Sequence, residues 1–437
     1  MAQDVRISRK IALDTIFAVS SGAPPSAIAV MRVSGPKARV VAEALAGTLP
    51  APRRAGLRTL RNAWGEVLDR ALVIVFPGPD SATGEDLVEF HLHGGRATIR
   101  AVEAALGEHS GLRGAEPGEF TRRALLAGRI DLTEAEGLGD LLVAETEAQR
   151  RAAQNLVEGR LRLYAETWTD AIVRCAAGIE AAIDFSDEDD VPPAQLSAVL
   201  DSLTDLTAEM TAMLAVPPVE RLRDGLRVVI AGPPNSGKST LLNAMIEREA
   251  AIVSPISGTT RDRIEVPVTR KGVAYIVTDT AGLTETTDDP IERIGIARTG
   301  EAMRGADILL WLGDDTPPRE ALWVHARADA PGRAGLPDGR DLAVSGATGS
   351  GVTDLWSAVG VRAAQLLPPP DSVALNRRQH RLIDEARDNL LLAAGETDIV
   401  LVAEHLRLAM RALHQLTGRS DVEAMLDALF VRFCIGK

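Results

Sequence analysis

Over the first 120 residues, short apolar runs alternate with patterns of helical spacing. Ala27-Ile28-Ala29-Val30-Met31-Arg32-Val33 and Ala71-Leu72-Val73-Ile74-Val75-Phe76 are rich in β-branched residues and end at Gly or Pro, as strands do. Alanine-rich stretches over 36–46 and 97–106 place apolar residues three and four apart, which predicts helices between the strands. From about 121 to 216 the pattern is helical almost throughout, built of Ala, Leu, Glu and Arg. Within it, the acidic run Asp184-Phe185-Ser186-Asp187-Glu188-Asp189-Asp190 precedes Pro192-Pro193, where a helix should stop. It reads as a solvated helix-end loop rather than a cation site. Pro217-Pro218 marks a boundary, and a strand-rich segment runs from 226 to about 367. Pro368-Pro369-Pro370 closes that segment as a stiff spacer, and the pattern from 374 onward is helical again. The simplest architecture is one helical domain with a nucleotide-type domain inserted into it.

The length of 437 residues exceeds what one hydrophobic core supports, so two or three domains are expected. Forty-eight basic against 61 acidic residues leave a net charge of −13. Such a chain does not hold nucleic acid by a broad basic surface, although a local basic site stays open. Cys175 and Cys434 lie far apart, which offers neither a disulfide framework nor a zinc knuckle. No signal-peptide pattern and no apolar stretch of membrane-spanning length occurs, so a cytoplasmic protein without a membrane partner is expected. Lysine occurs at Lys10, Lys37, Lys238, Lys271 and Lys437 alone. A motif that retains one stands out.

Lys238 is in such a motif. The buried-strand pattern Leu226-Arg227-Val228-Val229-Ile230-Ala231 runs into Gly232-Pro233-Pro234-Asn235-Ser236-Gly237-Lys238-Ser239-Thr240 and then the helical Leu241-Leu242-Asn243-Ala244. This is G-x-x-x-x-G-K-S in strand–loop–helix context. Its glycines let backbone N–H groups turn inward around phosphate oxygens, and the helix N-terminus adds its positive end. Lys238 reaches the β- and γ-phosphates, and the Ser239 hydroxyl ligates Mg²⁺. Downstream, a strand ends in Asp279-Thr280-Ala281-Gly282, where Asp279 can hold the metal through water and Gly282 can offer its N–H to the γ-phosphate. Between them, Gly258-Thr259-Thr260-Arg261-Asp262 is a polar loop whose Thr260 hydroxyl can complete the Mg²⁺ shell. Each piece alone fits an ordinary turn. Three in order predict a P-loop GTPase.

Guanine is usually read by N-K-x-D after a later strand. The matching place here offers Ala326-Arg327-Ala328-Asp329, which keeps the discriminating carboxylate and an Arg able to stack on the base, but not the Asn. About ten residues, with Pro317-Pro318 among them, separate this strand from Ile308-Leu309-Leu310-Trp311, close to the minimum for a helical crossover. Ser345-Gly346-Ala347-Thr348-Gly349 suits the last base-edge loop. The expectation is weakened guanine affinity with preference over adenine retained.

With these residues in hand, the chain resembles the MnmE (TrmE) family of tRNA-modification GTPases over essentially its full length. The motifs that carry the resemblance are Asp14-Thr15-Ile16, Arg32-Val33-Ser34-Gly35, Thr83-Gly84-Glu85-Asp86, His93-Gly94-Gly95 and Pro117-Gly118-Glu119-Phe120-Thr121-Arg122-Arg123-Ala124. Ile291-Glu292-Arg293-Ile294-Gly295-Ile296 and the closing Phe433-Cys434-Ile435-Gly436-Lys437 complete them. The resemblance implies a multidomain α/β plus all-α chain. Residues 1–120 are expected to form a folate-enzyme-like α/β domain for dimerisation and tetrahydrofolate binding. Residues 121–219 and 371–437 then form the helical domain, and 220–370 an inserted Ras-like GTPase domain.

By position, Arg32, Glu89 and Arg129 match the family's folate contacts; the last is usually Lys, yet an Arg still holds an anionic carboxylate. Read from the sequence alone, Arg32 and Glu89 also suit ordinary surface strand positions, and His91 with His93 lacks a third metal ligand. The resemblance further implies a K⁺ ion in place of an arginine finger. Asn235 matches its side-chain ligand, and Ser254, Ile256 and Thr259 match the loop positions that complete it, with Ser254 replacing the usual Thr. The GTP contacts then extend over Asn235 to Thr240, Ser254, Pro255, Ile256, Ser257, Gly258, Thr259, Thr260, Asp279, Thr280, Ala281, Gly282, Asp329, Ser345, Gly346 and Ala347. Glu292 matches the catalytic Glu that orients water, and Cys434 a Cys tied to the modification reaction, although a buried structural thiol fits it equally; Cys175 reads as core.

The implied activity is GTP hydrolysis that gates an aminomethyl-type addition to C5 of the wobble uridine of certain tRNAs. The implied cofactor is a 5-formyl- or 5,10-methylene-tetrahydrofolate. A homodimer would work with an MnmG-type partner that brings FAD, in a heterotetramer or larger complex. Two rivals are a regulatory RNA- or ribosome-associated GTPase switch and a degenerate scaffold of low turnover. The first lacks a visible basic module; the altered guanine-reading region keeps the second open.

Overall fold

A computed structural model describes residues 14–184, 193–247, 264–280, 300–419 and 436. The chain separates into two compact units, Met1–Gly139 with His414–Lys437, and Asp140–Leu413.

The first unit is built on a six-stranded sheet. Its strands are β1 (Thr15–Val19), β2 (Ile28–Ser34), β3 (Gly56–Arg61), β4 (Val67–Phe76), β5 (Leu87–His93) and β6 (Leu112–Gly114), in the order β3-β4-β5-β2-β1-β6. Neighbours are antiparallel except β1 with β6. One face buries Met31, Val33, Val73, Val75, Val88 and Phe90 together with α1 (Ala38–Ala46) and α2 (Arg96–Gly107). The other face is covered at β1, where Phe120 of α3 (Glu119–Leu126) packs on Ile16 and Ala18. Further along that face, Val30, His91, Leu72 and Leu57 face one another in register from strand to strand, and Leu57, Leu72 and Ile28 are exposed. Period-2 alternation explains both faces, since adjacent side chains point to opposite sides. α4 (Leu132–Val143) follows.

The second unit opens with α5 (Glu147–Val157), α6 (Arg160–Asp184) and α7 (Pro193–Leu214). Thr146 and Gln149 form a reciprocal capping box that starts α5. Pro193 suits the first turn of α7, where its missing N–H costs nothing. Cys175 is buried in α6, beside the face on which Trp168 donates to Glu209 Oε2 of α7 at 2.9 Å. The short α8 (Val219–Asp224) leads into a second six-stranded sheet. Its strands are β7 (Leu226–Ala231), β8 (Ile264–Arg270), β9 (Val273–Asp279), β10 (Ile308–Trp311), β11 (Leu322–Ala326) and β12 (Leu342–Val344), in the order β12-β11-β10-β7-β9-β8. All neighbours are parallel except β8 with β9. α9 (Lys238–Glu247) and α10 (Val352–Leu366) bury Leu241, Met245, Leu355 and Trp356 on one face; the other carries a small cluster around Val229, Ala306 and Leu309. α11 (Arg377–Gly395) and α12 (Ile399–Thr417) end the described helices.

The expected α/β plus all-α architecture is the one observed. Two connections carry no helix. Residues 312–321 join the parallel neighbours β10 and β11 with no helix at all, and 327–341 join β11 to β12 likewise. Pro317-Pro318 bars a helix interior there. Arginines of these loops tie them down instead: Arg319 donates to the carbonyls of Met303, Arg304 and Ala306 ahead of β10, and Arg340 to those of Gly313 and Asp314.

Candidate functional site

Buried β7 delivers the chain to Gly232, and the loop from there to α9 turns through positive φ at Gly232, Asn235 and Gly237. Asn235 takes a left-handed φ of 61° and Gly237 one of 94°. A Cβ on Gly237 would lie 3.2 Å from Arg327 Cγ, so only glycine lets that arginine cross the loop without displacement. Lys238 is 7% exposed, and its Nζ donates to the carbonyls of Gly232 at 2.9 Å and Pro233 at 2.8 Å. The ammonium is thus held inside the loop. Ser236 Oγ is buried with no hydrogen-bond partner among the described residues, a donor suited to an anion. Ser239 and Thr240 are exposed at the start of α9.

At the end of β9, Asp279 is buried and stands in register with Ile230 of β7. Thr280 fastens this end to β7, its Oγ1 donating to Ile230 O at 2.9 Å. Parallel pairing therefore brings the Lys238 loop and Asp279 to the same edge of the sheet, although 41 residues separate them in sequence.

The residues expected on the base side are also gathered. The Asp329 carboxylate is exposed, and a hydrogen bond from Ser345, with its own backbone N–H and the charge of Arg327, holds it below the ordinary carboxylate range. Ser345 is buried and also accepts from Thr348 N–H at 3.1 Å. Gly346 packs so closely on α9 that a Cβ would stand 2.8 Å from Leu241 N. Arg327, at φ 57°, donates to Asn235 O at 3.1 Å. Behind it, Arg333 grips Asp314 with two bonds of 3.0 Å and Arg340 lies over the Trp323 ring at 4.2 Å. The sequence reading missed this mesh, since arginines in irregular loops follow no period.

In the first unit, Arg32 Nε and Glu89 Oε1 form an ion pair at 2.8 Å, and His91 Nε2 lies 3.4 Å from Glu89 Oε2. Arg129 pairs with Asp80 at 3.5 Å and lies against Gly84. Gly436 reaches β1 of the same unit, its carbonyl accepting from Ser20 Oγ at 2.6 Å. A second cluster had been visible only as motif letters. Arg123, 2% exposed on its side chain, joins Asp14, Glu85 and Glu119, and Arg113 joins Asp14 and Glu119. Among the described residues no group of three or more His, Cys, Asp or Glu could hold a metal ion. No described helix is long and apolar enough to cross a membrane. Ser254, Pro255, Ile256, Ser257, Gly258, Thr259, Thr260, Ala281, Gly282, Glu292 and Cys434 lie outside the described residues, as does most of the acidic run after Asp184.

Two family profiles match the chain: the MnmE helical domain over residues 132–434 and the GTP-binding protein TrmE N-terminus over 15–129. A tRNA modification GTPase MnmE of Erythrobacter litoralis is 53% identical over 426 residues, covering 97% of this chain and 100% of that protein. One of the same description from Rhizorhabdus wittichii is 54% identical over 430 residues, covering 98% and 97%. Another, from Novosphingobium aromaticivorans, is 50% identical over 436 residues, covering 97% and 100%. Among solved structures, the G domain of the T. maritima FeoB iron transporter aligns at 22% identity and a TM-score of 0.24, over 32% of this chain and 98% of that one. At that score nothing about this chain follows.

Proposed function

The chain belongs to the MnmE (TrmE) family of tRNA modification GTPases, and from that premise we propose how its residues divide the work of a GTP hydrolase acting on tRNA. Residues 220–370 are the GTPase domain, 121–219 with 371–437 the helical domain, and 1–120 the dimerisation and tetrahydrofolate domain. GTP lies with its phosphates over Asn235, Ser236, Gly237, Lys238, Ser239 and Thr240, and its base against Asp329 and Ser345 to Ala347. The single observation that carries this is the Lys238 loop, with its enclosed ammonium and the buried Ser236 hydroxyl that has no partner among the described residues.

Ser239 and Thr260 hold Mg²⁺, which neutralises charge on the β- and γ-phosphates. Asn235, Ser254, Ile256 and Thr259 hold K⁺, which supplies the positive charge an arginine finger supplies elsewhere. Glu292 orients the attacking water through a bridging water.

Turnover drives association and separation of the GTPase domains of a homodimer, and this gates formation of an aminomethyl-type group at C5 of the wobble uridine. An MnmG-type flavoprotein partner brings FAD, in a heterotetramer or larger complex in the cytoplasm. The one-carbon unit comes from 5-formyl- or 5,10-methylene-tetrahydrofolate held by Arg32, Glu89 and Arg129, with Cys434 serving the modification chemistry. The exposed apolar side chains Ile28, Leu57 and Leu72 on one face of the first unit's sheet support pairing of two first units, because such a face gains by being covered. Local arginines such as Arg377, Arg378 and Arg381 meet the tRNA backbone, which fits a chain of net charge −13.

Hydrolysis is expected to be faster in K⁺ than in Na⁺. Glu292→Ala should bind GTP normally and hydrolyse it about 10²-fold more slowly. Equal rates in the two salts would remove K⁺ from the account, and undiminished turnover in Glu292→Ala would remove Glu292. In calorimetry, GTP should bind more tightly than ATP, and Asp329→Asn should narrow the gap by about ten-fold, the worth of one charge-assisted hydrogen bond. Equal affinity of the unaltered protein for both nucleotides would overturn the base assignment.

A further inference from the structure

Six residues, Val219–Asp224, link the helical segments to the phosphate-loop strand, and three sets of contacts hold them. On the sheet side, Asp307 accepts from Arg221 Nε at 3.1 Å and from the Arg227 N–H at 3.0 Å. On the side of α11, the Val219 N–H donates to Leu375 O at 3.1 Å, and Glu220 Oε1 accepts from the Arg377 N–H at 2.8 Å. On the side of α5, one side chain makes the tie. Gln149 Nε2 donates to Leu222 O at 3.0 Å and Arg223 O at 3.1 Å, two last-turn carbonyls of α8.

That amide is fully used. Its Oε1 also accepts from the Glu145 and Thr146 N–H groups, both at 2.8 Å. Two bonds accepted and two donated are all a primary amide can make, and only one assignment of its oxygen and nitrogen makes all four. One end closes the capping box of α5; the other satisfies carbonyls that no intrahelical donor reaches. Immediately afterwards Gly225 turns the chain, and β7 runs directly to Gly232. A pocket of about 370 Å³, lined among others by Glu147, Leu222, Lys271 and Leu367, opens on one side of α8. Val219 and Leu222 are themselves buried at this joint, so the Gln149 bonds add direction to a packed contact.

We propose that Gln149 is a positioning residue of the modification reaction: by fastening the C-terminus of α8 to the N-terminus of α5, it passes a change at the phosphate loop into the helical domain. The inference rests on the reading that nucleotide turnover gates modification. Gln149 touches neither nucleotide nor uridine; it acts through α8.

The test uses the full chain with K⁺, Mg²⁺, its flavoprotein partner and tRNA. Gln149→Glu keeps the acceptor that the capping box needs and loses both donors to α8. GTP affinity and single-turnover hydrolysis should stay near wild type, while tRNA modification falls about ten-fold, within the usual range for coupling between sites. In amide exchange, the difference between GTP and GDP states should vanish across 147–157 and persist across the phosphate loop. Thr146→Ala, which breaks the other half of the capping box, should lower the melting temperature yet leave modification and the exchange response in place.

Three results would each overturn the proposal: normal modification by Gln149→Glu, a parallel loss of hydrolysis and modification, or an equal loss in Thr146→Ala. Should Gln149→Glu not fold, Gln149→Met, with neither donor nor acceptor, is judged by the same criteria. Modification by the wild-type protein without nucleotide turnover would instead sink the underlying reading, a separate and recognisable outcome.

Discussion

Lys238→Ala is expected to lower GTP turnover by about 10³-fold, the upper end for removing one preorganised charge from a transition state. The ammonium is enclosed by the phosphate loop and restrained by the carbonyls of Gly232 and Pro233 before any phosphate arrives. Little reorganisation is needed to present it to the β- and γ-phosphates. Truncation removes the charge and also leaves those two carbonyls without this donor, so nucleotide affinity should fall together with turnover. Lys238→Arg should not rescue, because a planar fork cannot occupy the place of a compact ammonium inside a closed loop. Rapid-quench hydrolysis with labelled GTP separates the two effects. Turnover within a few-fold of wild type in Lys238→Ala would remove the phosphate-loop assignment.

Arg123→Met is expected to destabilise the first unit by about 3–5 kcal/mol, the usual cost of removing one partner from a buried ion pair. The Arg123 side chain donates to Glu119 at 2.9 Å, to Asp14 at 3.2 Å and to both oxygens of Glu85 at 3.1 Å. Without it, three carboxylates share Arg113 alone among the arginines of this cluster, and Arg113 reaches only two of them.

The same network sets a pH dependence. Burial pushes the Glu119 carboxyl up, but hydrogen bonds from Arg113, the Glu116 N–H and Arg123 outweigh it and hold the group below its ordinary 4.5. With the folded value below the unfolded one, the unfolded chain takes up the proton first as pH falls. Stability from Glu119 is therefore complete above about pH 4.5 and is lost as pH drops through the lowered folded value. Thermal unfolding of wild type and Arg123→Met across that range should show a smaller acid-induced loss in the variant. Coincident melting curves would show that Arg123 is not what holds the cluster.

The parts of the fold governed by local rules were legible. β2 and β4 lie where β-branched runs end at Gly or Pro, and α1 and α2 fall within two residues of their periodic stretches. The phosphate loop was legible because glycine spacing, a retained lysine and a strand–helix context coincide in one short segment. The connections after β10 and β11 were not, because a crossover helix is the common solution and the arginine–carbonyl bonds that replace it have no sequence period. The role of Arg123 was not legible, since Glu85 and Asp14, two of its three partners, stand 38 and 109 residues away and only the folded sheet assembles them. The Arg129–Asp80 ion pair was not legible either, because 49 residues separate the two in sequence. Gln149 was unremarked, for a capping-box residue looks complete until the second helix is in place.

Modification of tRNA by the protein reconstituted with the proposed flavoprotein partner, read by mass spectrometry of the proposed wobble-uridine target, is the decisive assay. With GTP, Mg²⁺ and K⁺ the C5 adduct should accumulate, and with GDP or a non-hydrolysable GTP analogue it should not. Equal product with the analogue would contradict an account in which hydrolysis at the Lys238 loop drives the reaction.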